Sequence, residues 1–191
     1  MRMDKSLERI SSSAADLQLL QATREDMPRV IELYEKSIAA LAGKPEDPQW
    51  NLENHPSIAS LTANAEAGCL LIGTLPDCDE LAAAMVLNAD FAAGYDTVAW
   101  HVSASPGEAL CVHTFCTNPD LSRRGIGKRF LQLAADHARS LGAKALRLDV
   151  LVQNAPAQAL YEKAGYENLG FCTLNYGDPK FTDFYMYELA L

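Results

Sequence analysis

No stretch of this 191-residue chain is apolar for long enough to cross a bilayer, and Met1 to Ser13 hold no apolar run of the kind a secretory leader needs. Both absences favour a soluble, cytoplasmic protein with no membrane partner. Positive charge is also short, with 16 Lys and Arg against 25 Asp and Glu and a formal net charge of -9. Polyanionic surfaces reward clusters of Lys and Arg, so nucleic acid is disfavoured as the main partner, and a cationic guest such as an amine is the natural one. Cysteine is sparse and odd in number, with five residues at 69, 78, 111, 116 and 172. They lie mostly in apolar, strand-like runs and read as reduced thiols, not as a disulfide framework. There is no internal repeat and no low-complexity segment, and the length suits one domain with a full core. The expected organisation is a flexible arm over 1–16, with its Ser11-Ser12-Ser13 run, followed by a single domain over 17–191.

Along that domain, strand and helix patterns alternate. Leu17 to Ala22 reads as a strand. Thr23 and Asp26 then start a helix whose apolar face is Met27, Val30, Ile31, Tyr34, Ile38 and Leu41. A loop with Pro48, Trp50 and His55 leads to a second helix from about Ser57 to Ala67. Two apolar runs, Cys69 to Leu75 and Leu81 to Asn88, flank the turn residues 76–80 and predict a hairpin. After an irregular stretch to Gly107, a strand runs from Glu108 to Cys116, a helix with Phe130, Leu133, Ala134, His137 and Ala138 on one face ends near Leu141, and a strand covers Ala145 to Leu151. A helix over 155–164 and two strands near 169–174 and 181–189 complete the chain. The fold class is α/β, a mixed sheet with helices on both faces.

Between the strand at 108–116 and the following helix stands Thr117-Asn118-Pro119-Asp120-Leu121-Ser122-Arg123-Arg124-Gly125-Ile126-Gly127-Lys128. Glycines at 125 and 127 let the backbone turn tightly, so several N–H groups can face one anion beside the positive end of the next helix. Arg123, Arg124 and Lys128 add counter-charge, and the whole suits a pyrophosphate. It is not a P-loop, because Ser122 and Arg129 stand where Gly and Ser or Thr are required, and Phe130 replaces the third glycine of a dinucleotide fingerprint.

The segment resembles motif A of the GNAT superfamily of acyl-CoA-dependent N-acetyltransferases, Val-x-Pro followed by Gln/Arg-x-x-Gly-x-Gly/Ala. Residues 154–166, Asn-Ala-Pro-Ala-Gln-Ala-Leu-Tyr-Glu-Lys-Ala-Gly-Tyr, resemble motif B of the same family at the expected distance. Two positions depart from the pattern: Ser122 replaces Gln or Arg, and Thr117 replaces Val. The resemblance implies a mostly antiparallel sheet with two splayed strands, acetyl-CoA as acetyl donor, and transfer to a primary amine of a small molecule, amino acid derivative or peptide by direct attack. It implies that pantetheine pairs with the backbone of Phe115, Cys116 and Thr117 and that the pyrophosphate meets Arg123, Arg124, Gly125, Ile126, Gly127 and Lys128. Tyr161 would then be the acid for the departing thiolate, and Asn154 a contact to CoA as well as a helix cap. The terminal hairpin leaves room for a homodimer. A non-catalytic CoA-binding or regulatory module is the alternative, motivated by Ser122.

The residues themselves leave the base open. His113 titrates in the right range, Glu108 and Asp149 are further candidates, and a water chain is a fourth. Asp149 also has a bland reading, an ion pair with Arg147. Tyr34, Trp50, Trp100 and Asp149 are candidates for the acceptor site. Cys111, His113 and Cys116 invite a metal, but strand alternation puts Cys116 on the opposite face from the other two, so no metal is expected.

Overall fold

The computed structural model describes residues 13–176 and 182–191. The capping expected at the first helix is present: the Asp26 carboxylate accepts from the Thr23 N–H and hydroxyl, each at 2.9 Å, and the turn leads into α1 (Met27–Leu41). Its buried face is Met27, Val30, Leu33, Tyr34 and Ser37, so Leu33 and Ser37 take places that the periodicity gave to Ile31, Ile38 and Leu41. The second helix, α2 (Ile58–Glu66), starts at Ser57, whose hydroxyl accepts from the Ser60 N–H.

Before and between these helices and beyond them run the strands β1 (Gln18–Gln21), β2 (Leu70–Leu75), β3 (Cys78–Asn88), β4 (Ala109–Thr117), β5 (Ala145–Leu151), β6 (Glu167–Thr173) and β7 (Asp183–Ala190). The predicted 76–80 turn is shorter than expected, because β3 already pairs with β2 at Cys78. Helices α3 (Ile126–Ser140) and α4 (Ala155–Lys163) follow β4 and β5. One seven-stranded sheet results, in the order β1-β2-β3-β4-β5-β7-β6, antiparallel at every junction except β4 with β5.

Helices cover both faces of the sheet. On one face α3 and α4 pack through Ile126, Phe130, Leu131, Ala134 and Tyr161 against Met85, Val112, Leu146 and Tyr187. Complete burial of Phe130 stabilises the fold by about 2–3 kcal/mol. On the other face α1 and α2 pack through Val30, Leu33, Tyr34 and Leu61 against Ile72, Ala84 and Val86. A third, smaller cluster around Tyr95, Cys111, Leu151 and Met186 extends that second face toward β7.

The arm expected over 1–16 falls mostly outside the described residues. Its last residues form a capped turn, Ala14–Asp16, that belongs to the domain, with Ala14 packed against the α3 cluster. The predicted hairpin tip at 176–180 also falls mostly outside the described residues. Among the described residues no helix is long and apolar enough to cross a membrane.

Candidate active site

Parallel pairing of β4 with β5 is confined to Ala109, Leu110 and Cys111 against Ala145, Leu146 and Arg147. Beyond that point β4 continues to Thr117 on β3, while β5 continues to Leu151 on β7. The two strands therefore part in the middle of the sheet and leave a wedge whose walls are backbone without cross-strand partners.

A β-bulge shapes the β4 side. Ala84 faces Cys116 and Val86 faces His113, so the single residue Met85 opposes both Thr114 and Phe115. Thr114 takes the left-handed conformation, at φ 48°. Tyr34 holds it there: its buried hydroxyl donates to the Thr114 carbonyl at 2.8 Å, and one turn later the Ser37 hydroxyl donates to the Thr117 carbonyl at 3.2 Å. The bulge corrects one sequence expectation. The extra residue returns Cys116 to the face that carries Cys111 and His113, whereas Phe115 and Thr117 face α3 and α4. Even so, among the described residues no three His, Cys, Asp or Glu side chains come together as metal ligands. Tyr34 was a candidate for the acceptor wall; full burial makes it the anchor of the bulge.

On the α3 side, Gly125 at φ 78° caps the helix and Arg123 before it is also left-handed, at φ 64°. The first intrahelical bond runs from the Arg129 N–H to the Gly125 carbonyl, which leaves the N–H groups of Ile126, Gly127 and Lys128 directed outward at the positive end of the helix. Gly127 is required for a second reason: a Cβ there would lie 3.0 Å from Leu160 of α4 and 3.5 Å from Thr117 of β4. The loop before α3, the end of β4 and α4 thus meet at one glycine. Arg123, Arg124 and Lys128 are exposed around it, as is Ser122. Asn118, which carries no signal of its own in the sequence, fixes the loop from behind. Its buried amide donates to Glu80 at 2.9 Å and to the Leu81 carbonyl at 3.2 Å, and its oxygen accepts from the Asp120 N–H at 3.0 Å.

Across the wedge, Asn154 caps α4 by accepting from the Ala157 N–H at 3.1 Å, as expected. The capped helix presents Tyr161 to Phe115, with ring centroids 6.4 Å apart. Burial, reinforced by Asp149 and Cys111, pushes the Tyr161 hydroxyl well above the ordinary phenol range, so it is a proton donor throughout the neutral range.

The opposite face of the wedge holds an open cavity of about 180 Å³ lined by His55, Ser60, Asn64, Asn88, Asp90 and His113. The Asn88 amide is oriented by its neighbours, its oxygen accepting from the Asp90 N–H at 3.0 Å and its nitrogen donating to Asp90 at 3.2 Å. That oxygen lies 3.1 Å from His113 Nε2, so the neutral imidazole carries its proton on Nε2 and keeps its lone pair on Nδ1. Burial lowers the His113 pKa below the ordinary value, against the smaller opposing pull of Asp149 and Asp90. His55 is lowered too, by lost hydration and by His113. In the sequence His55 is only a loop residue, since a lone His between prolines carries no periodic signal.

Asp149 does not pair with Arg147. Its Oδ1 accepts from Tyr95 at 2.5 Å and Tyr176 at 2.7 Å, while Arg147 binds Glu188 at 3.0 Å and stacks over Trp100 at 4.4 Å. Trp100 therefore packs behind Tyr95 and does not line the cavity, and Trp50 sits between Tyr34 and His55 as backing. Glu108 is drawn to the surface by Lys144 at 2.8 Å, away from the wedge.

A family model described as Acetyltransferase (GNAT) family matches residues 36–166, which spans the bulge, the anion loop, Tyr161 and the cavity wall. The chain belongs to the GNAT acetyltransferase family. It is an acetyl-CoA-dependent acyltransferase. No curated protein sequence matches it significantly. Among solved structures, a GNAT family acetyltransferase from Streptococcus agalactiae is 18% identical with a TM-score of 0.76, over 92% of this chain and 95% of that one. The ribosomal-protein-S18-alanine N-acetyltransferase of Escherichia coli is 16% identical with a TM-score of 0.63, over 91% and 93%. The yncA protein of Salmonella typhimurium, solved with its cofactor acetyl-CoA, is 17% identical with a TM-score of 0.60, over 92% and 94%. At such identities these likenesses establish the fold. In this GNAT domain the end of β4, the start of α3 and α4 pack together, through Gly127 against Thr117 and Leu160 and through Phe115 against Tyr161.

Proposed function

We propose that this GNAT protein transfers the acetyl group of acetyl-CoA to a primary amine of a small molecule, amino acid derivative or peptide by direct attack, in a cytoplasmic setting. The observation that carries this reading is the two-sided wedge: an anion loop and a phenol on one face, and a half-buried imidazole and a carboxylate in a cavity on the other. Pantetheine would lie along Phe115, Cys116 and Thr117, where β4 has no partner from β5, and the pyrophosphate would sit on the N–H groups of Ile126, Gly127 and Lys128, with Arg123 and Arg124 beside it.

The acceptor enters the cavity as an ammonium and gives a proton to the His113 imidazole, directly or through water; the Asp90 carboxylate on the cavity wall holds the cation meanwhile. The amine nitrogen then attacks the thioester carbonyl and forms the C–N bond, the C–S bond breaks, and the thiolate takes the Tyr161 proton; the new amide nitrogen gives its surplus proton through water to the Tyr161 phenolate, and His113 releases the proton it holds to solvent. The site needs no covalent enzyme intermediate, and burial pushes the Cys111 thiol up, out of nucleophilic range. Folded proteins are poorer guests for a cavity of about 180 Å³ than a single amine or a peptide N-terminus.

Calorimetric titration with acetyl-CoA, followed by an amine panel read by CoA release, tests the reading. Binding with turnover on an amine is expected. Binding with no turnover on any amine would favour a CoA-binding regulatory module, and no binding at all would sink the cofactor assignment.

A further inference from the structure

Among the described residues one buried side-chain oxygen or nitrogen lacks a hydrogen-bond partner, the hydroxyl of Tyr166. Its residue is 4% exposed and belongs to the α3 and α4 cluster, on the face where the cofactor would enter. The backbone that carries it is fixed, since the Tyr166 N–H donates to the Tyr161 carbonyl at 3.0 Å. Its ring packs against that of Tyr161, centroids 5.7 Å apart.

Apart from Tyr161, the other phenols around the wedge are occupied. Tyr34 binds the bulge carbonyl, Tyr95 and Tyr176 bind Asp149, and Tyr187 donates to Glu162 while accepting from Asn168. Phenylalanine would fill the space of Tyr166 without leaving a desolvated hydroxyl, which is a standing cost to the ligand-free protein. A donor kept at such a cost, beside the proposed acid, fits an acceptor that arrives with the ligand.

We propose that the Tyr166 hydroxyl is a second hydrogen-bond donor to the thioester end of bound acyl-CoA, next to Tyr161. This rests on the acetyl-CoA reading above. Tyr161 delivers the proton; Tyr166 keeps its own and stabilises the lone pairs of the sulfur or carbonyl oxygen as charge develops there.

The test is Tyr166→Phe in the full chain, with the ligand-free Tm measured beside calorimetric Kd values for acetyl-CoA and for CoA. The expected result is a higher Tm together with acetyl-CoA binding weaker by about five- to tenfold, the loss of one hydrogen bond to the ligand. An equal loss for CoA assigns the bond to sulfur; a loss for acetyl-CoA alone assigns it to the carbonyl. Unchanged acetyl-CoA binding overturns the proposal whatever happens to Tm, and weaker binding with a Tm that is lower or unchanged overturns it too, because general loosening or a satisfied hydroxyl then explains the loss. If the wild-type protein binds no acetyl-CoA, the cofactor reading itself fails; if the wild type binds and the variant matches it, only the role of Tyr166 is lost.

Discussion

The two halves of the β4–β5 junction differ in how their polar groups are used. In the zipped half, Arg147 gives its Nε to Glu188 at 3.0 Å and an Nη to the Val102 carbonyl at 2.9 Å, and Glu188 accepts from the His101 and Val102 N–H groups at 2.8 and 3.0 Å. In the open half, Asp149 has both phenols on one oxygen, Tyr166 has no partner, and the first N–H groups of α3 point outward. Arg147 and Asp149 stand two residues apart on the same face of one strand. Saturated charge there builds the fold, and unsaturated charge is left for a ligand.

The sharpest way to break this contrast is in the anion loop. Gly125→Glu forces a side chain onto a left-handed residue and places a negative charge where phosphate would sit, so acetyl-CoA binding should vanish in calorimetry while the far-ultraviolet circular dichroism stays native. Retained binding would show that the loop does not hold the cofactor. Next in size is Tyr161→Phe, which should lower kcat by about 10²–10⁴-fold with little change in acetyl-CoA affinity, as loss of a general acid requires. Full activity in that variant would remove Tyr161 from the mechanism.

The zipped half should respond in stability instead. Glu188→Ala leaves the Arg147 guanidinium buried without its carboxylate and should cost about 3–5 kcal/mol in chemical denaturation, with acetyl-CoA affinity held wherever the protein stays folded. A loss under 1 kcal/mol would mean that the network is not the support described.

His113 sharpens the comparison through pH. Its pKa is lowered in the folded protein, so the neutral base persists to lower pH than in a free His; kcat/KM should rise with pH through a limb below about 6.5 and then level. His113→Gln should erase that limb and reduce kcat/KM by about 10²-fold. An unchanged limb would assign the base to water or Asp149. The same shift makes a stability statement: protonation is disfavoured in the folded state, so the His113 contribution to stability falls as pH drops through the unfolded value near 6.5. The smallest effect expected is from Tyr34→Phe, about 1 kcal/mol for the hydrogen bond to Thr114, with a modest rise in the acetyl-CoA Kd as the bulge loosens.

Much of this was legible in the chain. Glycine spacing at 125 and 127 and the run from Asn154 to Tyr166 pointed to the loop and the capped helix, because backbone conformation and helix capping are local. The helix faces were read with one-residue errors, as at Leu33 and Ser37, because periodicity does not say which way a helix rolls onto its sheet. The bulge was invisible: strand alternation assigned Cys116 to the wrong face, since an extra residue on one strand is defined only by its partner strand. Tyr34, Trp50 and Trp100 are candidates for the acceptor wall on sequence alone because aromatic residues suit both a core and a binding wall, and only packing chooses between them.

By itself the sequence determined the family, the sheet-and-helix order, the glycine turn before α3 and the identity of the phenol on α4, all of which depend on residues close together in the chain. Only the tertiary structure decided which charges are spent and which remain. Arg147 meets Glu188 across 41 residues, Tyr95 meets Asp149 across 54, and Tyr34 reaches the bulge across 80. Those pairings arise when strands dock side by side and bury polar groups that must then find partners, and no local pattern encodes which partner each will find.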